Sequence, residues 1–189
     1  MRGLSSALIL LVLATCRADQ PPDLAVTLKF NKAVYRVGDH MTCDITFTNV
    51  SDRALRFIPI DDFLDATELQ FKGEGSRLEK TIVLQGERLY DVDSLIKDAV
   101  ALSPKQSYTR QVEATVRSQF ADTSSKGSGP IVLDFEVSAL VLSKPGKYSV
   151  TKTFDGHPEW LKGKDIAKGP PFWKGVSESP AVWVTFEEK

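Results

Sequence analysis

Between residues 40 and 49 the chain alternates strictly, with Met41, Cys43, Ile45 and Phe47 standing between Thr42, Asp44, Thr46 and Thr48. A period of two puts the first set on one face of an extended strand and the second set on the other. That is the pattern of an antiparallel strand with one face buried and one in water. The shorter apolar stretch before it, followed by Gly38-Asp39, reads as a short strand and a turn, so residues 34–50 are expected to form a hairpin.

The same alternation recurs along the chain. Leu24, Val26, Leu28 and Phe30 mark a first strand, Leu55 and Phe57 another, and Tyr108, Val112, Ala114 and Val116 the inward side of a longer one that Arg110 interrupts. Residues 131–142 hold one or two strands, Tyr148, Val150 and Phe154 define a further one, and Val182, Val184 and Phe186 alternate with Ala181, Trp183 and Thr185. Residues 69–71 and 81–84 flank the turn Gly73-Glu74-Gly75-Ser76 and are expected to pair as a second hairpin. Asp93-Ser94 is placed to cap a short helix in which Leu95, Ile96, Ala99 and Val100 share a face. With about eight strands, no internal repeat and no strand-helix alternation, the chain is expected to be all-β: an antiparallel, Greek-key β-sandwich with long inserted loops. The insertions are residues 61–102, 117–130 and 155–179, and a local function is expected there.

The N-terminus carries Arg2, then the apolar run of residues 7–14, then small and polar residues. That run is short of the ~20 residues a membrane-spanning helix needs and suits the core of a secretory signal. Residues 1–18 are accordingly expected to be a cleaved signal peptide, and residues 19–189 a single domain. Leu13-Ala14-Thr15-Cys16 resembles the lipobox of bacterial lipoproteins, which makes Cys16 a lipidation candidate; cleavage after Cys16 or Ala18 by ordinary signal peptidase is the alternative. The expected location is therefore exported: secreted, periplasmic or lipid-anchored at the cell envelope.

The chain has 24 Lys and Arg against 25 Asp and Glu, a net charge of −1. A near-neutral domain has no broad electrostatic attraction for nucleic acid, so no nucleic-acid partner is expected. Of the two cysteines only Cys43 lies beyond the leader. Its place between Met41 and Ile45 marks it as a small buried hydrophobe rather than a reactive thiol or ligand.

Tyr35-x-x-Gly38-Asp39, Phe47-Thr48-Asn49 followed by Ser51-Asp52, Leu102-Ser103-Pro104, and Pro145-Gly146-Lys147-Tyr148 together resemble the immunoglobulin-like domains of exported bacterial proteins. Within this run, Leu142-x-x-Pro145-Gly146-x-Tyr148 resembles the tyrosine corner of such sandwiches, in which the hydroxyl bonds back to nearby backbone at the entry to a strand. The resemblance covers nearly all of the mature chain and implies topology, not activity, because such domains serve as adhesion modules, assembly parts and inhibitors alike. A narrower likeness is to small sandwich proteinase inhibitors, although the Asn-Pro-Thr-Thr-Gly loop of the chagasin-like type is absent.

Catalytic constellations are poorly supplied. A Ser or Cys nucleophile needs a histidine base, and the chain holds only His40, offset by one from the inward Met41, and His157 in a loop; no Gly-x-Ser-x-Gly is present. Asp61, Asp62, Asp65 and Glu68 are acidic neighbours without the glycine and terminal glutamate of a calcium loop. Gly73-Glu74-Gly75 and Gly127-Ser128-Gly129 lack the Lys-Ser/Thr of a phosphate cradle. No catalytic residue, metal or cofactor is expected. Asn49-Val50-Ser51 is a glycosylation sequon in a eukaryotic host and otherwise a plain turn. The richest interaction signal is Trp160, Pro170, Pro171, Phe172 and Trp173 in residues 157–176, since aromatics anchor protein partners and stack on sugars. The alternative for Trp160 and Trp173 is closure of one end of the core. The expected function is thus non-enzymatic binding of a protein or glycan by a monomeric domain through its inserted loops, with protease inhibition as the alternative.

Overall fold

The structure, a computed structural model, describes residues 23–59, 69–73, 81–82, 96–119, 129–135, 139–156 and 169–188. Among these, thirteen strands occur: β1 Leu24–Phe30, β2 Val34–Arg36, β3 His40–Asn49, β4 Leu55–Phe57, β5 Leu69–Gly73, β6 Thr81–Ile82, β7 Val100–Leu102, β8 Ser107–Ser118, β9 Ile131–Phe135, β10 Ala139–Leu142, β11 Gly146–Asp155, β12 Val176–Glu178 and β13 Val182–Glu187. The regular structure is nearly all β. A six-stranded sheet runs β1-β3-β8-β9-β10-β6, a five-stranded sheet runs β12-β11-β13-β2 with β5 on β11, and β4 pairs with β7. Every pairing between these strands is antiparallel except that of β13 with β2.

The period-two residues point where their spacing requires. In β3, Met41, Cys43, Ile45 and Phe47 are buried, and in β13 Val184 and Phe186 are. Residues of both large sheets, among them Leu28, Phe47, Val116, Tyr148, Val150 and Phe186, belong to one hydrophobic cluster. Aromatic contacts tie it together: Phe47 of β3 meets Phe154 of β11 edge-on at 5.1 Å, and Phe57 meets Phe154 at 5.8 Å. Edge-to-face rings satisfy the aromatic quadrupole as well as filling volume.

Several pairings depart from the expected ones. Residues 34–50 do not form a hairpin, because β2 pairs with β13 while β3 lies between β1 and β8. Tyr35 supplies the reason. Its ring stacks on Phe186 at 5.6 Å, and its hydroxyl donates to Asn31 Oδ1 at 2.6 Å while accepting the Lys32 N–H at 3.1 Å. The same Asn31 oxygen accepts the Thr42 N–H at 3.0 Å, so the chain turns out of one sheet and into the other around one carboxamide. Likewise β5 and β6 are not partners: β5 pairs with β11 and β6 with β10, in different sheets. Of the expected short helix, Ile96 and Lys97 are helical, residues 91–95 lie outside the described residues, and the Ala99 N–H donates to Ile96 O at 3.3 Å. Val100 is already in β7 opposite Phe57, which lets Leu102 enter the core. The count exceeds the expected eight, and β12 and β13 are separate strands along β11. Three residues, Ser179, Pro180 and Ala181, face two of β11 between the pairs Thr153–Glu178 and Val150–Val182. That is a bulge, where the missing N–H of proline costs no ladder bond.

Two turn features are as their residues demand. Gly38 has φ of 94°, a left-handed turn conformation natural to glycine. Tyr148, at the entry to β11, donates its hydroxyl to the Lys144 carbonyl at 2.7 Å.

Candidate functional site

Of the expected interaction residues, Trp160 lies outside the described residues, as do His157, Cys16 and the acidic positions 61, 62, 65 and 68. The remaining four form a stitched segment. Phe172 bridges Arg56 in parallel, with the Arg56 N–H donating to Pro171 O at 3.0 Å and the Trp173 N–H donating to Arg56 O at 2.8 Å. The Arg56 guanidinium sits 4.2 Å from the Phe172 ring centre. Pro170 is half-buried and Pro171 exposed. Trp173 is only 6 % exposed and stacks on Phe154 at 5.5 Å with 13° between the rings. Gly156 and Gly175 make room for it: a Cβ at Gly156 would stand 2.2 Å from Trp173 Cε3, and one at Gly175 2.9 Å from Cζ2. This indole is a core side chain with little surface to offer a partner.

Asn49 is likewise occupied. It is fully buried, its Nδ2 donates to the carbonyls of Arg53 at 2.8 Å and Leu102 at 3.1 Å, and its Oδ1 accepts the Ser51 N–H at 3.0 Å and hydroxyl at 2.7 Å. Both amide hydrogens are used inside the fold, so the sequon geometry serves a turn and leaves no nitrogen for a glycan. Cys43 is fully buried, and burial pushes its thiol up to about 12. It is a core hydrophobe without thiolate chemistry near neutral pH. His40 is exposed on β3, with Nε2 3.2 Å from Glu113 Oε2. No group of three or more potential metal-ligating side chains occurs among the described residues.

The outward faces of the two large sheets differ sharply. On the six-stranded sheet the polar side chains pair with one another across strands. Thr46 meets Thr109 at 2.9 Å, Thr48 meets Ser107 at 2.8 Å, Gln111 donates to Asp44 at 2.8 Å and Arg117 reaches Asp134 at 3.0 Å. Cross-strand pairs of this kind stabilise the sheet and use up the groups a ligand would need.

The five-stranded sheet presents Trp183 instead, 54 % exposed. Val182, Val184 and Phe186 turn inward from β13, so Trp183 and Thr185 must turn outward. In register, Trp183 lies beside Ser149 of β11, and Ser149 lies beside Lys72 of β5. The Lys147 ammonium, diagonal to the indole, sits 4.9 Å from its ring centre. The burial pattern of β5 turns Leu69 and Phe71 inward and Gln70 and Lys72 outward. Among the described residues no carboxylate lies within ion-pair distance of Lys72 or Lys147, and Glu187, also outward, is held by Arg36 at 3.1 Å. The arrangement is a flat patch with one exposed indole, two cations and a surround of hydroxyl and amide groups. Chemically it can stack, hydrogen-bond and attract an anion; it holds no nucleophile paired with a base. The signal for Trp183 is present in the sequence as its alternation with Val182 and Val184, which turns it to the outward face.

No protein-family model matches the chain, and no curated protein matches it. Among solved structures it is similar to a β-glucosidase of Erythrobacter marinus, with a TM-score of 0.37 and 14 % identity over 87 % of this chain. The match spans 15 % of that enzyme's length. Likeness at this level carries no conclusion about fold or activity.

Proposed function

We propose that this protein is an exported, non-enzymatic domain that works by surface contact with a protein or glycan, and that its two sheets form an immunoglobulin-like sandwich. The sandwich reading is supported by the single hydrophobic cluster fed by both sheets, by the Phe47–Phe154 contact and by the tyrosine hydroxyl at the entry to β11. The contact reading is carried by one observation: Trp183 stands 54 % exposed in a regular strand, near the start of β13 and paired with Ser149 of β11. An indole costs solubility when left in water, and large exposed aromatics concentrate at binding surfaces. The contact surface is therefore the outward face of the five-stranded sheet rather than the segment around Trp173.

The test compares the wild-type protein with Trp183→Ala, after both are shown to melt at the same temperature, for retention on panels of envelope glycans and envelope proteins from the source cells. Retention of the wild type and loss in the variant is the expected result. Equal retention of both, or release of a reaction product from any panel member, overturns the reading. Inhibition of any member of a panel of serine and cysteine proteases would replace it with the inhibitor alternative. Mass spectrometry of the mature N-terminus decides between a secreted chain and one acylated at Cys16.

A further inference from the structure

The patch around Trp183 has a chemical bias that narrows its ligand, granted the contact reading above. Lys72, Ser149 and Trp183 lie side by side on three neighbouring strands, so the row from first to third spans about 10 Å. Lys147 stands next to that row with its ammonium against the indole. Two cations thus flank one exposed ring, on a chain whose net charge is −1. Two cations on one face attract anionic groups locally even though the molecule as a whole is slightly negative. Beside them on the same face lie the Gln70 amide and the Ser149 hydroxyl, which donates to the Lys72 carbonyl at 3.4 Å; the Thr151 hydroxyl oxygen is buried. A protein interface of ordinary size wants an apolar centre of several large side chains; Val34, beside Thr185, is the one other large exposed apolar residue described on this face near the ring. A pyranose ring meets the requirement better. Its axial C–H bonds, polarised positive, lie on the negative face of an indole, and its hydroxyls take up short polar side chains.

We infer that the outward face centred on Trp183 binds an acidic polysaccharide. One sugar ring stacks on the indole, and carboxylates of the chain reach Lys147 and Lys72. The bound row is about the length of a disaccharide. Binding is driven by stacking and by two exposed ion contacts, so it weakens as salt screens the latter.

The experiment is affinity electrophoresis of the full chain in gels holding polygalacturonate, the same polymer fully methyl-esterified, or a neutral galactan. The wild type should be retarded by polygalacturonate alone, less so in high salt. Trp183→Ala and the double variant Lys72→Ala/Lys147→Ala should each weaken that retardation by about tenfold or more, a difference well within the reach of one lost stacking or two lost ion contacts. Unchanged melting temperatures exclude unfolding, and Trp183→Phe, which keeps a ring, should restore part of the retention. Equal retardation by the esterified polymer overturns the acidic assignment and leaves a neutral-glycan contact. Retardation that persists in Trp183→Ala overturns the site. Retardation by none of the three overturns the inference, while the broader contact reading is decided separately by the panel comparison above. A Trp183-dependent dimer in sedimentation would overturn it too, by assigning the face to a second copy of the chain.

Discussion

The segment around residues 170–176 and the strand Val182–Glu187 each carry a tryptophan, and they use it in opposite ways. The first is irregular, rich in proline and glycine, and its Trp173 is packed flat on Phe154 between two glycines. The second is a regular strand, and its Trp183 stands largely in water, beside Ser149 and with the Lys147 ammonium against its ring. Irregular backbone does not imply an exposed side chain, and regular backbone does not imply a buried one. What decides is the face: Trp173 follows Phe172 into a space that Gly156 and Gly175 leave open, whereas Trp183 is held outward by Val182 and Val184 on either side.

Substitutions can break that contrast. The largest effect is expected for Trp173→Ala, which should cost about 3–5 kcal/mol, as removal of a buried large aromatic does. Chemical denaturation measures it, and a loss below about 1 kcal/mol would mean that the indole is not a core element. Next comes Gly156→Ala, whose added Cβ would stand 2.2 Å from the Trp173 ring. It should cost about 1–3 kcal/mol by overpacking, with a shift in the near-ultraviolet signal of the displaced indole. Trp183→Ala should cost under about 1 kcal/mol, mostly the contact with Lys147, while lowering the acrylamide-accessible fraction of tryptophan fluorescence. If quenching is unchanged by that substitution, the Trp183 ring is not exposed.

The smallest effect belongs to the turn that carries the chain from one sheet to the other. Asp39 accepts the Arg36 N–H at 2.8 Å and pairs with Lys32 at 3.2 Å, and these hold its carboxyl below the ordinary value of 3.8. A depressed carboxyl adds stability that is present above its unfolded value and fades as pH falls through the folded one. Asp39→Asn should therefore flatten slightly the acid limb of a melting-temperature profile, between about pH 5 and pH 2. A profile identical to the wild type would show that the turn does not sense this charge.

Much of this architecture can be read from residue order. The alternation of Leu24, Val26 and Leu28, of Met41 to Phe47, and of Val184 and Phe186 assigns faces correctly, because a strand has only two. It does not assign partners. Whether β5 lies beside β6 or beside β11 depends on which residues Phe71 and Tyr148 meet in the assembled core, and alternation is silent on contacts between distant segments. Tyr35 illustrates the same limit: its apolar ring is visible in the sequence, but its attraction to Phe186 is not, and that contact moves β2 out of the expected hairpin. The burial of Trp173 depends on glycines from two separate stretches, which no local pattern brings together. For Trp183 the direction is legible and the emptiness of the face is not, since neighbours on β5, β11 and β2 decide whether a large residue there would be covered.

The parallel contact of β2 with β13 also bears on how the molecule can be made. Val34 pairs with Thr185 and Arg36 with Glu187, partners 151 positions apart along the polypeptide. A ribosome or an export channel releases residue 34 long before residue 185, and during that interval the Tyr35 ring has no Phe186 to rest against. The five-stranded sheet can thus be completed only after nearly the entire sequence has emerged, a late and entropically slow closure of the kind that non-local strand pairing imposes. Early segments must wait unpaired until the last strand is available to them.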